Sequence, residues 1–259
     1  MSKFQEKLEK VNRALSAAAG GFGFLATREK SPSMVLVASL NKAGAKLAGD
    51  CNKKGADALL ISLSTAAEAD GLIKDESIIW GAVVKEASKD SSEVLLKAGV
   101  DFTEVRSDSP AALLASEKLG RLLVVKPGMT DSDLRIYSAL RLDAVVTEIE
   151  APVTVGVVAS ALRFAMLTGK SVLVAQGKAE ITGIELEVLR DAGVKGILVE
   201  VADKDDLNKL EAMRKLIDGL PLKARKSAER GTISALVPQA AMQREESEPR
   251  RKADPDEDE

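Results

Sequence analysis

Leu140-Arg-Leu-Asp-Ala-Val-Val-Thr-Glu-Ile-Glu150 is the stretch of sequence that decides the fold. Its first residues end a helical pattern, an apolar strand follows from Asp143, and the strand closes on carboxylates. The same order of turn, apolar strand and polar end recurs in three other stretches, 55–62, 99–104 and 193–200. This repetition predicts a regular alternation of helices and buried strands.

Eight such strands can be counted, and segments of helical character lie between them. Two of those segments begin with the pattern of a capping box, Asp90-x-x-Glu93 and Thr182-x-x-Glu185. Eight strands alternating with eight helices predict a parallel sheet that closes into a (β/α)8 barrel over residues 33–222. The alternative is an open doubly wound sheet, which needs a glycine-rich turn after its first strand, where this chain has Ser39-Leu-Asn-Lys-Ala-Gly44. The predicted strands are Met34–Leu40, Ala58–Leu63, Ile78–Val84, Asp101–Arg106, Arg121–Lys126, Asp143–Ile149, Ser171–Gln176 and Gly196–Val201.

Two phrases carry a resemblance to a known superfamily. Ala56-Asp-Ala-Leu-Leu-Ile61 and Ala192-Gly-Val-Lys-Gly-Ile197 resemble the strand beginnings common in TIM-barrel lyases, isomerases and synthases. The resemblance covers Ser33 to Pro221 and implies a TIM barrel whose chemistry lies at the strand C-terminal ends. It indicates no particular family: strand three lacks the Asp-x-Lys-x-x-Asp of barrel decarboxylases, and Glu148 stands where barrel aldolases commonly carry lysine.

The two ends of the chain differ from this repeating region. Phe4, Leu8, Val11 and Leu15 recur at helical spacing, so residues 1–32 are predicted to form an amphipathic helix and a glycine-rich connector. This helix either packs across the bottom or side of the barrel or serves as an arm for a partner or a second copy. Residues 223–259 are charged and proline-containing, which predicts a disordered tail. The tail either only solubilises the protein or carries a docking motif for a protein partner around residues 233–238.

Composition excludes several classes of function. The 259 residues carry 37 Lys and Arg against 40 Asp and Glu, so no strong field favours nucleic acid or an anionic membrane. No apolar run is long enough to cross a bilayer. Cys51 has no cysteine partner and the N-terminus lacks a signal-peptide pattern, which together predict a cytoplasmic protein. The sequence contains 0 His, which removes histidine-based nucleophile systems, histidine bases and histidine zinc sites.

Polar residues at the strand ends are the candidate site. Inside a barrel, strand residues alternate between lumen and helix layer, and a polar side chain is costly against apolar helices. The candidates should therefore face the upper lumen. We assign catalytic roles to Lys126, Glu148 and Glu104 and substrate-binding roles to Arg106, Ser39, Asn41, Ser62, Gln176 and Lys178.

Three kinds of chemistry remain open for this set. Lys126 between apolar walls could form a Schiff base while Glu148 or Glu104 carries protons. Alternatively, Glu148 and Glu200, together with Glu104, could hold a magnesium ion, which prefers oxygen ligands. The simplest alternative is a ring of ion pairs with no catalytic role. A phosphorylated ligand is disfavoured, because residues 202–206 place acids at the start of the last helix, where they more plausibly cap that helix.

Two hypotheses about function follow from these patterns. The first is a small lyase or isomerase that acts on a carbonyl or carboxylate metabolite, with Arg106 holding an anionic group. The second is a non-catalytic barrel that serves as a scaffold and works through its N-terminal helix and C-terminal tail. The pattern permits a homodimer without requiring one.

Overall fold

The chain forms a closed barrel of eight parallel strands in a computed structural model that describes residues 1–19, 33–126, 128–149, 152–177 and 180–221. Each strand pairs with the next along the chain, and the eighth pairs back with the first. The predicted fold and all eight predicted strands are confirmed, with ends shifted by a few residues. The strands are β1 (Val35–Asn41), β2 (Ala58–Thr65), β3 (Trp80–Glu86), β4 (Phe102–Val105), β5 (Gly120–Val124), β6 (Ala144–Ile149), β7 (Ser171–Gln176) and β8 (Val194–Val201).

The prediction of eight alternating helices is wrong at two connections. The chain between β2 and β3 holds a 3₁₀ helix, Ala66–Ala69, and the chain between β4 and β5 holds another, Ala111–Leu114; neither contains an α-helix. A further 3₁₀ helix, Lys42–Leu47, precedes α2. The α-helices are α1 (Lys3–Ala19), α2 (Ala48–Lys53), α3 (Ser91–Lys97), α4 (Asp131–Ser138), α5 (Val155–Thr168), α6 (Gly183–Asp191) and α7 (Asp206–Gly219). Within the described residues, no helix is long and apolar enough to cross a membrane.

Helix α1 closes the N-terminal end of the barrel. Phe4, Leu8 and Val11 are fully or almost fully buried and belong to the same cluster as the lumen residues of the strands. The ring of Phe4 stacks on that of Phe102, with the centroids 4.3 Å apart. The expectation that this helix packs across the bottom of the barrel is confirmed. Phe4, Leu8 and Val11 are therefore covered by the barrel and are not available to a partner.

Carboxylates at the starts of three strands tie this lower end together. Asp101 accepts hydrogen bonds from the backbone N–H groups of Lys3 and Phe4, both at 2.8 Å, and so satisfies first-turn donors of α1. Asp57 accepts from Leu36 N at 2.9 Å, and Asp143 accepts from Arg121 N at 2.8 Å. These aspartates occupy equivalent positions in the repeated phrase, directly before the strand. Their role is to anchor backbone at the bottom of the barrel.

Local capping agrees with the sequence pattern at one of the two predicted boxes. Thr182 and Glu185 form a complete capping box at the start of α6. Asp90, in contrast, makes no side-chain cap at α3, so that prediction is wrong. Ser91 Oγ instead accepts a hydrogen bond from Ser88 N at 2.8 Å, and this local bond replaces the expected cap.

Candidate active site at the C-terminal end of the barrel

A cavity of about 930 Å³ opens at the C-terminal end of the barrel. Its apolar walls come from lumen residues of the strands, among them Leu60, Val83, Val124, Val146 and Leu198. The polar lining lies two residues further along several of the same strands, because side chains alternate with period two. Ser62 thus follows Leu60, Lys126 follows Val124, Glu148 follows Val146 and Glu200 follows Leu198.

The structure brings most of the predicted site residues together. Eight of them, including both predicted magnesium ligands Glu148 and Glu200, line the same cavity. The eight are Ser39, Ser62, Glu104, Arg106, Lys126, Glu148, Gln176 and Glu200. Gln176 reaches the cavity edge from the end of β7, while Leu173 and Ala175 occupy the lumen positions of that strand. Lys178 lies outside the described residues.

Asn41 does not line this cavity. Its side-chain oxygen accepts a hydrogen bond from Gly44 N at 2.7 Å and caps the 3₁₀ helix Lys42–Leu47. Asparagine readily makes such local bonds to nearby backbone, and here that tendency holds the side chain at the rim. The structure therefore gives Asn41 a capping role at the rim, and its contact with a substrate stays a prediction.

Glu104 has the most unusual electrostatic environment in the cavity. Its side chain is 16% exposed, and its Oε1 lies 3.7 Å from Nε of Arg106. Burial raises the pKa of Glu104 most strongly, the charge of Arg106 lowers it, and the charge of Glu148 raises it further, so that the net direction is upward. A carboxyl group of this kind holds its proton to higher pH than an ordinary glutamate. It can therefore serve as a proton donor or acceptor.

The other charged side chains of the cavity are more open to water. Lys126, Glu148 and Glu200 are exposed, and Arg106 is 46% exposed. Among the described parts of the chain, Glu104 and Arg106 form the one ion pair between cavity-lining side chains. These described residues thus do not form the continuous ring of ion pairs that was the simplest alternative.

The acidic residues do not gather around a single point. Among the described residues, no group of three acidic or thiol side chains is placed to hold a metal ion. Glu148 and Glu200, predicted as magnesium ligands, are therefore not joined by a third acidic or thiol side chain within that part of the chain. Magnesium usually keeps several waters and one or two carboxylates. The arrangement offers separate carboxylates on β4, β6 and β8.

The start of α7 is occupied by the chain's own carboxylates. Asp206 accepts a hydrogen bond from Ala202 N at 2.9 Å, and Asp203 accepts from Asp205 N at 2.9 Å. Backbone N–H groups at this position are what a barrel would offer to a substrate phosphate. Asp203 also accepts a hydrogen bond from Asp206 N, the first residue of α7, at 3.3 Å, whereas Asp205 at the N-cap makes no side-chain cap. The expectation that the acids cap the last helix is therefore confirmed for Asp203 and wrong for Asp205, and the carboxylates here disfavour phosphate.

Sequence reasoning missed a second cavity and part of the first. Ser107, Asp108 and Met129 also line the upper lumen, and the first two directly follow Arg106, a position that could have identified them. The second cavity has a volume of about 630 Å³ and is lined by the ends of β7 and β8, by Glu180 and Ile181 before α6, and by α7. It shares three lining residues with the first, Gln176, Gly177 and Glu200. Its apolar lining, which includes Ile181, Val199, Met213 and Leu216, resembles ordinary helix-layer core in the sequence.

Comparison with known proteins shows similarity of fold. No family model matches the chain, and no curated protein matches its sequence. Among solved structures, the tryptophan synthase alpha chain from Legionella pneumophila is 14% identical with a TM-score of 0.59, and the match covers 84% of this chain and 98% of that one. Tryptophan synthase from M. tuberculosis in its aminoacrylate-bound form is 13% identical with a TM-score of 0.57, covering 83% and 99%. A mutant tryptophan synthase alpha-subunit from Pyrococcus furiosus is 11% identical with a TM-score of 0.53, covering 72% and 97%. At these identities the likeness establishes the TIM-barrel fold alone.

Proposed function

We propose that this chain is a small lyase or isomerase that acts on an anionic carbonyl or carboxylate metabolite in the upper lumen. The observation that carries the proposal is the Glu104 carboxyl group, which faces a cavity large enough for a metabolite and whose pKa is raised by burial. General acid–base catalysis works best when the pKa of the catalytic group lies near the working pH. Lyases and isomerases of carbonyl compounds depend on such proton transfers.

The neighbouring side chains supply the remaining roles in this proposal. The Nε of Arg106 lies 3.7 Å from Glu104 Oε1, too far for a hydrogen bond, so its N–H can donate to an anionic group of the substrate. Glu148 differs from Glu104 in being exposed, and two carboxyl groups in different environments suit an acid and a base. Lys126 acts as an electrophile through its positive charge, as a base in its neutral form, or as a nucleophile whose neutral amine adds to the carbonyl carbon and forms a Schiff base with loss of water.

The charge distribution favours a carboxylate over a phosphate as the anionic group. Arg106 and Lys126 lie on the β4–β5 side of the cavity, whereas Glu200 lies on the β8 side and Asp203 and Asp206 occupy the start of α7. A phosphate near β8 would face these acids. The substrate is therefore oriented with its carboxylate toward Arg106. The solved relatives include the alpha chain of tryptophan synthase, and this likeness supports a barrel enzyme by analogy of fold.

Thermal unfolding with a ligand panel tests this proposal. The panel holds keto acids, hydroxy acids, dicarboxylates and phosphorylated metabolites, and it is run on the parent protein, Arg106→Ala and Glu86→Gln. A ligand that binds only the folded protein stabilises it by about 2.7 kcal/mol at a hundredfold excess over its dissociation constant. We expect a carboxylate to stabilise the parent and Glu86→Gln, because Glu86 ends β3 without lining the cavity. Loss of the shift in Arg106→Ala is the second expected result, and an unchanged shift there would contradict the placement of the anion.

The second experiment measures proton transfer directly, as hydrogen exchange on the bound ligand. The ligand identified by the panel is incubated with protein in deuterium oxide, and exchange of its carbon-bound hydrogens is followed by NMR. We expect Glu104→Gln to slow the exchange about 100-fold or more, since a positioned acid or base typically contributes that factor. Retention of the parent rate in Glu104→Gln would remove Glu104 from the chemistry.

The scaffold hypothesis relied on the N-terminal helix and the C-terminal tail, and the structure argues against the first of these. The apolar face of α1, which that hypothesis offered to a partner, packs into the bottom of the barrel. Its other part, the tail from residue 223 onward, lies outside the described residues. A protein with residues 222–259 deleted should therefore keep both the ligand shift and the hydrogen exchange of the full chain. Loss of both would favour the tail as the functional part.

A further inference from the structure

Three consecutive helices of the outer layer expose large apolar side chains. Apart from Met1, every exposed large hydrophobic residue in the described part of the chain lies on α4, α5 or α6. These helices are neighbours in space, with α5 between the other two. The six residues are Ile136, Val155, Leu162, Met166, Ile184 and Val188, which we call the α4–α6 patch.

Helix α5 carries the centre of this patch as a regular stripe. Val155, Ala159, Leu162 and Met166 are exposed, and they follow one another at spacings of four, three and four residues. Such spacing places the four side chains along one face, as in the seam of two packed helices. The opposite face of α5 is already buried in the protein through residues such as Phe164. A helix that is apolar on both faces is typical of burial on both sides.

The stripe carries no charge. The single charged residue of α5 is Arg163, which is half-buried and bonded to Asp131 and to the backbone carbonyl of Met129 on the α4 side. A second copy of the α5 stripe would therefore bring no like charges together at the centre of the contact. The absence of basic residues on the stripe also gives no attraction to an anionic membrane surface.

The exposed area fits a dimer interface. The patch exposes Val155 at 87%, Ile184 at 78% and Met166 at 74% of their surfaces. With the three other side chains it exposes apolar surface on the order of several hundred Å², comparable with the largest patch on a typical monomer. A standard interface buries about 800 Å² on each partner, which the patch and a narrow polar rim would supply.

We propose that the occupant of the α4–α6 patch is a second copy of this chain, with α5 packed against α5 across a twofold axis. In such an interface the same residues contact one another from both sides, so an uncharged stripe is complementary to itself. Ala159 is small and allows the two helices to approach closely at the crossing. Ile184 and Val188, one turn apart on α6, flank the contact.

Sedimentation velocity of the full chain across micromolar concentrations tests this proposal. The parent protein should sediment as a dimer, and Leu162→Glu combined with Met166→Glu should sediment as a monomer. The dissociation constant should rise by about 100-fold or more, because each of the two substitutions, counted over the whole dimer, is expected to cost at least about tenfold. The matched control is Ala67→Glu, which adds a glutamate at an exposed position after β2 and should leave the dimer intact.

Two results would overturn the proposal. One is a parent protein that remains a monomer over the whole concentration range, which would leave the patch to a different partner. The other is a double variant that stays dimeric, which would place the interface elsewhere. Circular dichroism and thermal unfolding of each variant verify that the barrel is intact, since both substituted side chains are exposed.

Discussion

Glu104 is one residue through which pH should act on the stability of the barrel. An unfolded chain ionises this carboxyl near its ordinary pKa of 4.5, whereas burial raises the pKa in the folded protein. Its protonated form is thus favoured by folding. The contribution of Glu104 to stability is present below pH 4.5 and is lost as the pH rises through the higher folded value.

Glu104→Gln removes this titration and keeps the shape of the side chain. At neutral pH we expect Glu104→Gln to have a larger free energy of unfolding than the parent, and the difference should shrink as the pH falls below 4.5. Urea denaturation of both proteins at a series of pH values measures it. Glu86→Gln, at an exposed position, is the control and should follow the parent. A difference that stays constant with pH would mean that the pKa of Glu104 is not raised.

Alternation along the strands predicted the positions of individual site residues well. Glu104, Lys126, Glu148 and Glu200 reach one cavity because strand side chains alternate strictly and their apolar neighbours fill the lumen below. Alternation did not place Asn41 in the cavity lining, because a local bond to Gly44 N holds its side chain at the rim. Local capping depends on backbone geometry that the order of residues does not reveal.

At the scale of elements, α1 stabilises the barrel by covering its N-terminal end. Phe4 is 0% exposed and stacks on Phe102 inside the barrel. Truncating a buried phenylalanine removes its transfer free energy and leaves a cavity. We expect Phe4→Ala to lower the free energy of unfolding by about 3–5 kcal/mol in urea denaturation.

Lys10→Ala is the matched control for this change. Lys10 lies on the exposed side of the same helix, and surface substitutions of this kind usually stay within about 0.5 kcal/mol. Equal effects of the two substitutions would mean that α1 does not close the barrel. The sequence predicted the amphipathic face of α1 and offered two uses for it. The structure distinguishes these uses, because the lumen residues at the bottom of the barrel, such as Phe102, pack against the apolar face of α1.

The missing helices after β2 and β4 show a limit of pattern reading. Leu72 and Ile73 follow β2 and pack against the helix-layer core from a loop. Leu114 does the same after β4 from a single 3₁₀ turn. These side chains fill the helix-layer core from loops and turns. Their apolar character therefore predicted helices that the short connections, which contain glycine or proline, do not form.

Across the whole molecule the barrel is uneven. The strands from β6 to β8 are covered by α5, α6 and α7, whereas the connections around β3 and β4 hold one seven-residue helix and two 3₁₀ turns. The pairing of β3 with β4 is also the shortest, with Gly81 opposite Phe102 and Ala82 opposite Thr103. The ring of Phe102 occupies the space beside Gly81, where a side chain on β3 would collide with it. The β3–β4 seam is therefore joined by few hydrogen bonds and little helical cover.

Native-state hydrogen exchange should show this unevenness. We expect the amides of β3 and β4 to open with free energies about 1–3 kcal/mol below those of β1 and β8, because local opening follows the density of buried contacts. β1 and β8 pair through six residue pairs and serve as the internal reference. Glu104 and Arg106 stand on β4 and just beyond its end, so a bound carboxylate should raise protection first at this seam. Uniform protection around the barrel would show that the missing helices do not weaken it, and protection by ligand only at β7 and β8 would move the binding site away from Arg106.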